Sequence, residues 1–241
     1  MPTTLVNQYH KDFLAHADKG RALGVARFFK TGPGQYGEGD KFLGITVPTV
    51  RLLARKYRDL GFDALAEIMA SSWHEERLGA LRILSDRAQA SKTPAERKKI
   101  YAFYVRHVKG INNWDLVDTS AAACVGRYLA DLDPVAQQKV LKKMILSKNM
   151  WERRIAMVAT FHFTKNKRSD IALWVAAQLM DDTHDLIHKA TGWMLREFGK
   201  HASEPALVRF LHEHSSKMPR TMLRYSLERL TPETRAYFMK K

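Results

Sequence analysis

The strongest constraint on how this chain folds is a helical pattern that repeats along it. Trp73-His-Glu-Glu-Arg77-Leu-Gly-Ala-Leu and Trp151-Glu-Arg-Arg154-Ile-Ala-Met-Val resemble each other, and their arginines lie 77 residues apart, about two units of 38 to 39. Trp114 falls between them, and Lys189-Ala-Thr-Gly-Trp193 begins 35 residues after Arg154. A recurring helix pair cannot bury its apolar face alone, so neighbouring pairs must stack. Stacking of that kind produces an elongated, curved array with a continuous concave surface.

The local signals agree with helices almost throughout and with strands almost nowhere. Segments 4–16, 20–30, 62–70 and 73–88 carry helical spacing, and Thr46-Val47-Pro48 opens a helix through about Arg58. Thr93-Pro94-Ala95-Glu96 combines a threonine cap, a proline in the first turn and a glutamate at the third position, which predicts a helix to about His107. The next is expected over 113–129, and Asp133-Pro134 starts another through Leu146. Further helices are expected at about 149–163, 169–180, 184–198, 203–215 and 218–230, with a last short one from Thr231-Pro232-Glu233. The expected class is all-α: a right-handed solenoid of HEAT-like (ARM/HEAT) helix-pair repeats with a concave basic groove. A non-repeating helical bundle is the alternative. No linker or low-complexity stretch divides residues 1–241, so a single domain is expected.

Charge narrows the partner. Forty Lys and Arg stand against 25 Asp and Glu, a formal net charge of +15, which predicts a polyanion such as DNA or RNA. Nine basic residues and one acid, Glu152, occupy Lys139 to Arg168; seven basic residues and two acids occupy Lys217 to Lys241. One cysteine, Cys124, leaves no internal disulfide and no cysteine-based zinc site. No signal peptide or membrane-length apolar run is visible, so a cytoplasmic protein is expected, nucleoid-associated when bound to DNA.

Several motifs have plain structural readings. Gly32-Pro-Gly34-Gln-Tyr-Gly37 matches the dinucleotide fingerprint in letters only. A helix precedes it where a strand is required, and Glu38 and Asp40 would repel a phosphate. His184 and His188 are spaced for one metal, but two helix-surface histidines are the expectation, and no metal or cofactor is expected. Cys124 reads as a small core residue, and Trp73 and Trp174 as core tryptophans. Trp114 and Asp118 differ: four residues apart on a helix, they share one face, and a buried Asp118 would need a partner such as Arg154.

The ordered set of segments Asn113-Trp114-Asp115-Leu116-Val117-Asp118, Asn149-Met150-Trp151-Glu152-Arg153-Arg154 and Gly192-Trp193-Met194-Leu195-Arg196-Glu197 resembles the signature of the AlkD-like DNA glycosylases. Ala26-Arg27-Phe28 and Phe42-Leu43-Gly44-Ile45-Thr46-Val47-Pro48 extend the resemblance over most of the chain. It implies a HEAT-like fold and an enzyme that removes cationic alkylated purines, such as 3-methyladenine and 7-methylguanine, from double-stranded DNA. No lysine in the signature segments suggests a Schiff-base lyase, so a monofunctional enzyme is expected, and a solenoid binding duplex DNA needs no partner, so a monomer is expected. The resemblance further implies Asp118 as the catalytic carboxylate, Trp114 and Trp193 as indoles flanking the damaged nucleotide, and Arg154 as a backbone contact. Arg153 is the neighbour if the register slips, and Phe28 stands where other members can carry tyrosine. Phe28, Lys148, Arg153 and Lys189 are the further DNA-binding candidates. The competing function is a non-catalytic HEAT-repeat protein that binds damaged or distorted nucleic acid.

Overall fold

A computed structural model describes residues 4–167 and 170–240. Arg168 and Lys241, counted above among the basic residues, lie outside the described residues. The described chain is helical, with no strand; its one extended pairing is an isolated bridge between Lys41 and Trp73. The expected all-α class therefore stands. Among the described residues no helix is long and apolar enough to cross a membrane.

Two compact units divide the chain at Ser120–Ala121. Unit 1 holds α1 (Thr4–Ala15), α2 (Lys19–Phe28), α3 (Val47–Lys56), α4 (Phe62–Met69), α5 (His74–Ala90), α6 (Pro94–Arg106), a 3₁₀ turn (Val108–Gly110) and nearly all of α7 (Trp114–Ala121). The capping box foreseen at Thr93 and Glu96 is formed, and Thr46 caps α3 by accepting the Thr49 N–H. In the core, α5 packs on α3, α4 and α6, with α1 across α3, α4 and α5. Leu81, Ile83 and Leu84 of α5 are almost fully buried, and Tyr9 and Phe13 of α1 meet no solvent. α2 buries no side chain.

Unit 2 opens on a π-helical segment (Ala122–Gly126) containing the buried Cys124, followed by one turn, α8 (Arg127–Leu129). The helix foreseen over 113–129 thus contains a π distortion, a feature often placed at functional sites. Then come α9 (Pro134–Ile145), α10 (Met150–Ala159), α11 (Phe161–Lys165), α12 (Asp170–Gln178), α13 (Asp185–His201), α14 (Glu204–His214), α15 (Arg220–Leu227) and α16 (Pro232–Lys240). The segment expected as one helix over 149–163 breaks between α10 and α11, where Thr160 ends the first by turning its own hydroxyl to the Met157 carbonyl.

α13 is the hub of unit 2, packed on α15, α10, α11, α12 and α14. Its approach to α15 is close enough to require glycine. A Cβ on Gly192 would sit 2.6 Å from the Tyr225 Cβ and collide with the Met222 carbonyl oxygen. Gly192 is thus explained by packing. We expect Gly192→Ala to destabilise the protein by about 1–3 kcal/mol, the usual cost of overpacking, read as a shift in the urea midpoint.

One part of the expected recurrence is present as a shared local motif, but its register differs by one from that of the sequence comparison. Ser71 Oγ accepts the Trp73 N–H at 3.0 Å while its carbonyl accepts from Arg77 Nη1 at 2.7 Å. Ser147 Oγ accepts the Asn149 N–H at 3.0 Å while its carbonyl accepts from Arg153 Nη1 at 3.0 Å. Each arginine also pairs with an aspartate, the buried Asp40 or the partly buried Asp182. Arg77 and Arg153, 76 residues apart, are the equivalent pair. In that register Arg154 corresponds to Leu78.

Candidate active site

The candidate site in unit 1 begins at the first turn of α7. Asn113 Oδ1 accepts the Trp114 N–H at 2.9 Å, starting the helix. Trp114 and Asp118 then follow one turn apart, both only partly buried. The indole of Trp114 is the outer ring of an aromatic stack. Phe29 lies parallel to it, centroids 5.1 Å apart at 14°, and Phe28 meets it edge-on at 5.9 Å. Phe29 stacks in turn on Phe42 at 5.0 Å, and Phe42 on the His74 imidazole at 4.4 Å. Phe28 is 65% exposed, so it is a rim residue beside Trp114 and not part of the core.

Beneath that stack lies a buried charge cluster. His74, at the start of α5, lies 2.7 Å from Asp40 through Nδ1 and 2.8 Å from Asp115 through Nε2. Burial opposes charge on the imidazole, but the two carboxylates outweigh it and push its pKa up to about 9. It is therefore a cation at neutral pH and donates from both nitrogens. Arg77 Nη2 donates to the other oxygen of Asp40 at 2.5 Å and to Asn112 Oδ1 at 3.0 Å. Although burial works the other way, His74 and Arg77 hold the Asp40 carboxyl below its ordinary value. Two cations and two anions thus balance where an unpaired charge would be very costly.

This cluster separates the two acids of Trp114-Asp115-Leu116-Val117-Asp118. Asp115 is committed to structure: one oxygen faces His74 and the other accepts the Leu116 N–H at 2.9 Å. Asp118 occupies the face shared with Trp114.

The sequence reading missed His74, Arg77, Asp115 and Phe29 as parts of this site. It took Asp40 for a residue that repels phosphate, and the structure gives Asp40 a buried partnership instead. Four consecutive polar residues, His74-Glu75-Glu76-Arg77, directly before the apolar run Leu78-Gly-Ala-Leu81 were the available signal, and all four are buried. Glu75 accepts the N–H groups of Leu43, Gly44 and Ile45 at 2.9, 2.7 and 3.2 Å. That accounts for the Phe42–Pro48 segment, in which Gly44 adopts φ +79°. The loop from Thr31 to Gly39 follows a helix, and Glu38 occupies the Gly34 N–H at 2.8 Å, so that amide is not presented to a phosphate.

The unit 2 candidates fall on α10, α13 and the turn before α10. Arg154 is buried and donates from Nη1 to the Leu186 carbonyl at 2.5 Å, tying α10 to the start of α13. Arg153 pairs with Asp182 at 2.5 Å, so much of its charge is matched within the unit. Lys189 pairs with Asp185 at 2.7 Å, and Lys148 is exposed. Trp193 is partly buried, its ring 6.3 Å from Phe161.

Trp73 and Trp174, expected in the core, are only half-buried, whereas Trp151 is buried. Tryptophan is large enough to anchor a helix edge while leaving one rim exposed. His184 and His188 are not simple surface histidines either. His184 caps α13, its Nδ1 accepting the Leu186 N–H at 3.1 Å, and His188 donates to the Asp182 carbonyl. No cluster of metal-ligating side chains occurs among the described residues.

A search of curated proteins finds no match to the chain. Among solved structures, a predicted DNA alkylation repair enzyme from Enterococcus faecalis superposes with a TM-score of 0.67 at 16% identity, over 90% of this chain and 98% of that one. At that identity the likeness speaks for a shared fold. The sequence model described as DNA alkylation repair enzyme matches residues 9–230. The ordered segments around Trp114, Arg154 and Trp193 all lie within that match, and the chain belongs to the DNA alkylation repair enzyme family.

Proposed function

We propose that this protein is a monofunctional DNA glycosylase that hydrolyses the N-glycosidic bond of cationic alkylated purines in duplex DNA. Family membership supports a role in DNA repair, and the net charge of +15 suits a polyanionic substrate. The observation that carries the reading is the division of labour on α7: Asp115 is bound to His74, while Asp118 and Trp114 share a partly accessible face.

The chemistry asks for little more. Glycoside hydrolysis ordinarily uses two carboxylates, one to protonate the leaving group. A purine alkylated at N3 or N7 is already cationic and departs as a neutral base, so no general acid is required. The barrier that remains is the positive charge developing on the sugar and the placing of a water. A carboxylate at Asp118 addresses both, because electrostatic stabilisation aimed at the developing charge is commonly the largest catalytic contribution. An indole face at Trp114 adds cation–π attraction of about 0.5–2 kcal/mol and excludes bulk water. Trp193 carries the second indole role and Arg154 the backbone contact in this proposal, both by family resemblance.

One carboxylate suits cationic lesions and poorly suits neutral ones. On duplexes carrying 7-methylguanine or, separately, uracil, the wild-type protein is expected to release the methylated base at least about a hundredfold faster, the range commonly associated with one general acid. Equal release of both bases would rule out this mechanism. Salt-sensitive binding with no release of either base would instead favour the non-catalytic reading.

A further inference from the structure

Unit 1 contains a pocket of about 410 Å³ whose wall includes cations and no carboxylate. It lies where the end of α4 and the following turn, Met69 to Ser71, meet the end of α6 and the 3₁₀ turn, Arg106 to Gly110. Its basic side chains are Arg77, Arg106, His107 and Lys109, and they are not equivalent.

Arg77 is already spent. Its donors serve the carbonyls of Gly110 and Ser71, at 3.0 and 2.7 Å, and the side chains of Asp40 and Asn112. It shapes the wall and adds no uncompensated charge. His107 gives its Nδ1–H to the Phe103 carbonyl at 2.8 Å and packs on the Phe103 ring at 4.1 Å. Arg106 and Lys109 remain. Both are exposed, and neither makes an ion pair among the described residues.

We infer that this pocket seats a phosphodiester of the bound DNA strand, gripped by Arg106 and Lys109. Two uncompensated positive charges at a concave wall without a carboxylate select an anion. A guanidinium beside an ammonium suits phosphate oxygens, the one by its planar fork and the other as a point charge. The volume exceeds that of a lone phosphate and leaves room for the sugar attached to it.

Position favours a strand over a free ion. Asn112, in the pocket wall, is two residues from Trp114. Arg77, in the same wall, connects through Asp40 and His74 to Asp115 in the first turn of α7. A phosphate held here lies along the same rigid framework that positions Trp114 and Asp118. The assignment of the occupant rests on the DNA reading proposed above; the anion preference rests on the wall itself.

The test is the salt dependence of binding to an undamaged duplex, which requires no base excision. Arg106→Gln/Lys109→Gln is expected to bind about tenfold more weakly near 0.1 M salt, with a slope of log K against log salt shallower by about one, the signature of one lost phosphate contact. The control is Lys92→Gln/Lys98→Gln, whose exposed lysines lie just before α6 and in its N-terminal half, residue 98 about 12 Å along the axis from Arg106. It should leave the slope unchanged, and the charge-preserving Arg106→Lys/Lys109→Arg should restore wild-type behaviour. Thermal melting confirms that all three variants are folded. An unchanged slope and affinity in Arg106→Gln/Lys109→Gln, or an equal loss in the control, would overturn the seat. Calorimetric titration with inorganic phosphate separates the sources. Sub-millimolar binding lost in the variant, with duplex affinity intact, would place a free phosphate there and overturn the strand assignment. A changed slope in a protein that releases no base would leave the seat standing and remove the glycosylase reading alone.

Discussion

Asp118→Asn is expected to slow single-turnover release of 7-methylguanine from duplex DNA by at least about 10²–10³-fold, while the affinity for the same duplex changes little. The magnitude is that of removing one group aimed at the charge of a transition state. Asparagine keeps the shape and the hydrogen-bonding capacity of the side chain but loses the negative charge opposite the developing sugar cation. Its effect should therefore appear in the rate of the chemical step and not in binding. A rate within a factor of two of wild type would remove Asp118 from the mechanism. The corresponding Asp115→Asn separates the two acids: its first consequence should be a lower melting temperature, because Asp115 is bonded to His74 and to the Leu116 amide.

Removing Asp40 is expected to be the most destabilising single change in unit 1. Asp40→Ala would leave Arg77 without its carboxylate and His74 with one partner in place of two. Deleting one partner of a buried charge pair costs about 3–5 kcal/mol. In a chain of 241 residues that corresponds to a melting point lower by about 10 °C. The pH dependence follows from the same cluster. The His74 pKa is raised in the folded protein to about 9, against about 6.5 in an unfolded chain. Its stabilisation is thus complete below pH 6.5 and is lost as pH rises through 9. The shift corresponds to about 3 kcal/mol between those limits. Urea titrations at pH 6.5 and 9.5 should show that loss in wild type and not in His74→Gln. Equal pH dependence in the two proteins would mean that His74 is not the cation described.

The cluster also explains why the candidate site rests on a stack of rings. His74 is held at a fixed orientation by two carboxylates, Phe42 and Phe29 pack on it in turn, and Trp114 closes the column. Phe28 meets Trp114 at its edge, a contact a tyrosine ring would also make. A tyrosine at position 28 would therefore add a hydroxyl at the rim and leave the column intact.

By itself the sequence determined the helical class and the caps at Thr46, Thr93 and Asp133, and its charge pointed to a polyanionic partner. Each follows from short-range spacing or from net charge, which do not depend on which segments meet. The pairing of Trp114 with Asp118 on one face was legible for the same reason, since it spans one helical turn. The tertiary structure alone decided the register of the repeat. The bonds that define it join Arg77 to Asp40, and Arg153 to Asp182, across 37 and 29 residues. It alone decided that His74-Glu75-Glu76-Arg77, four polar residues that would ordinarily face water, are buried. Their partners are carboxylates, carbonyls and amides brought from other segments. It also divided Asp115 from Asp118: three residues apart and chemically identical, they differ only in what the fold sets beside them. For Asp115 that neighbour is a charged imidazole 41 residues away.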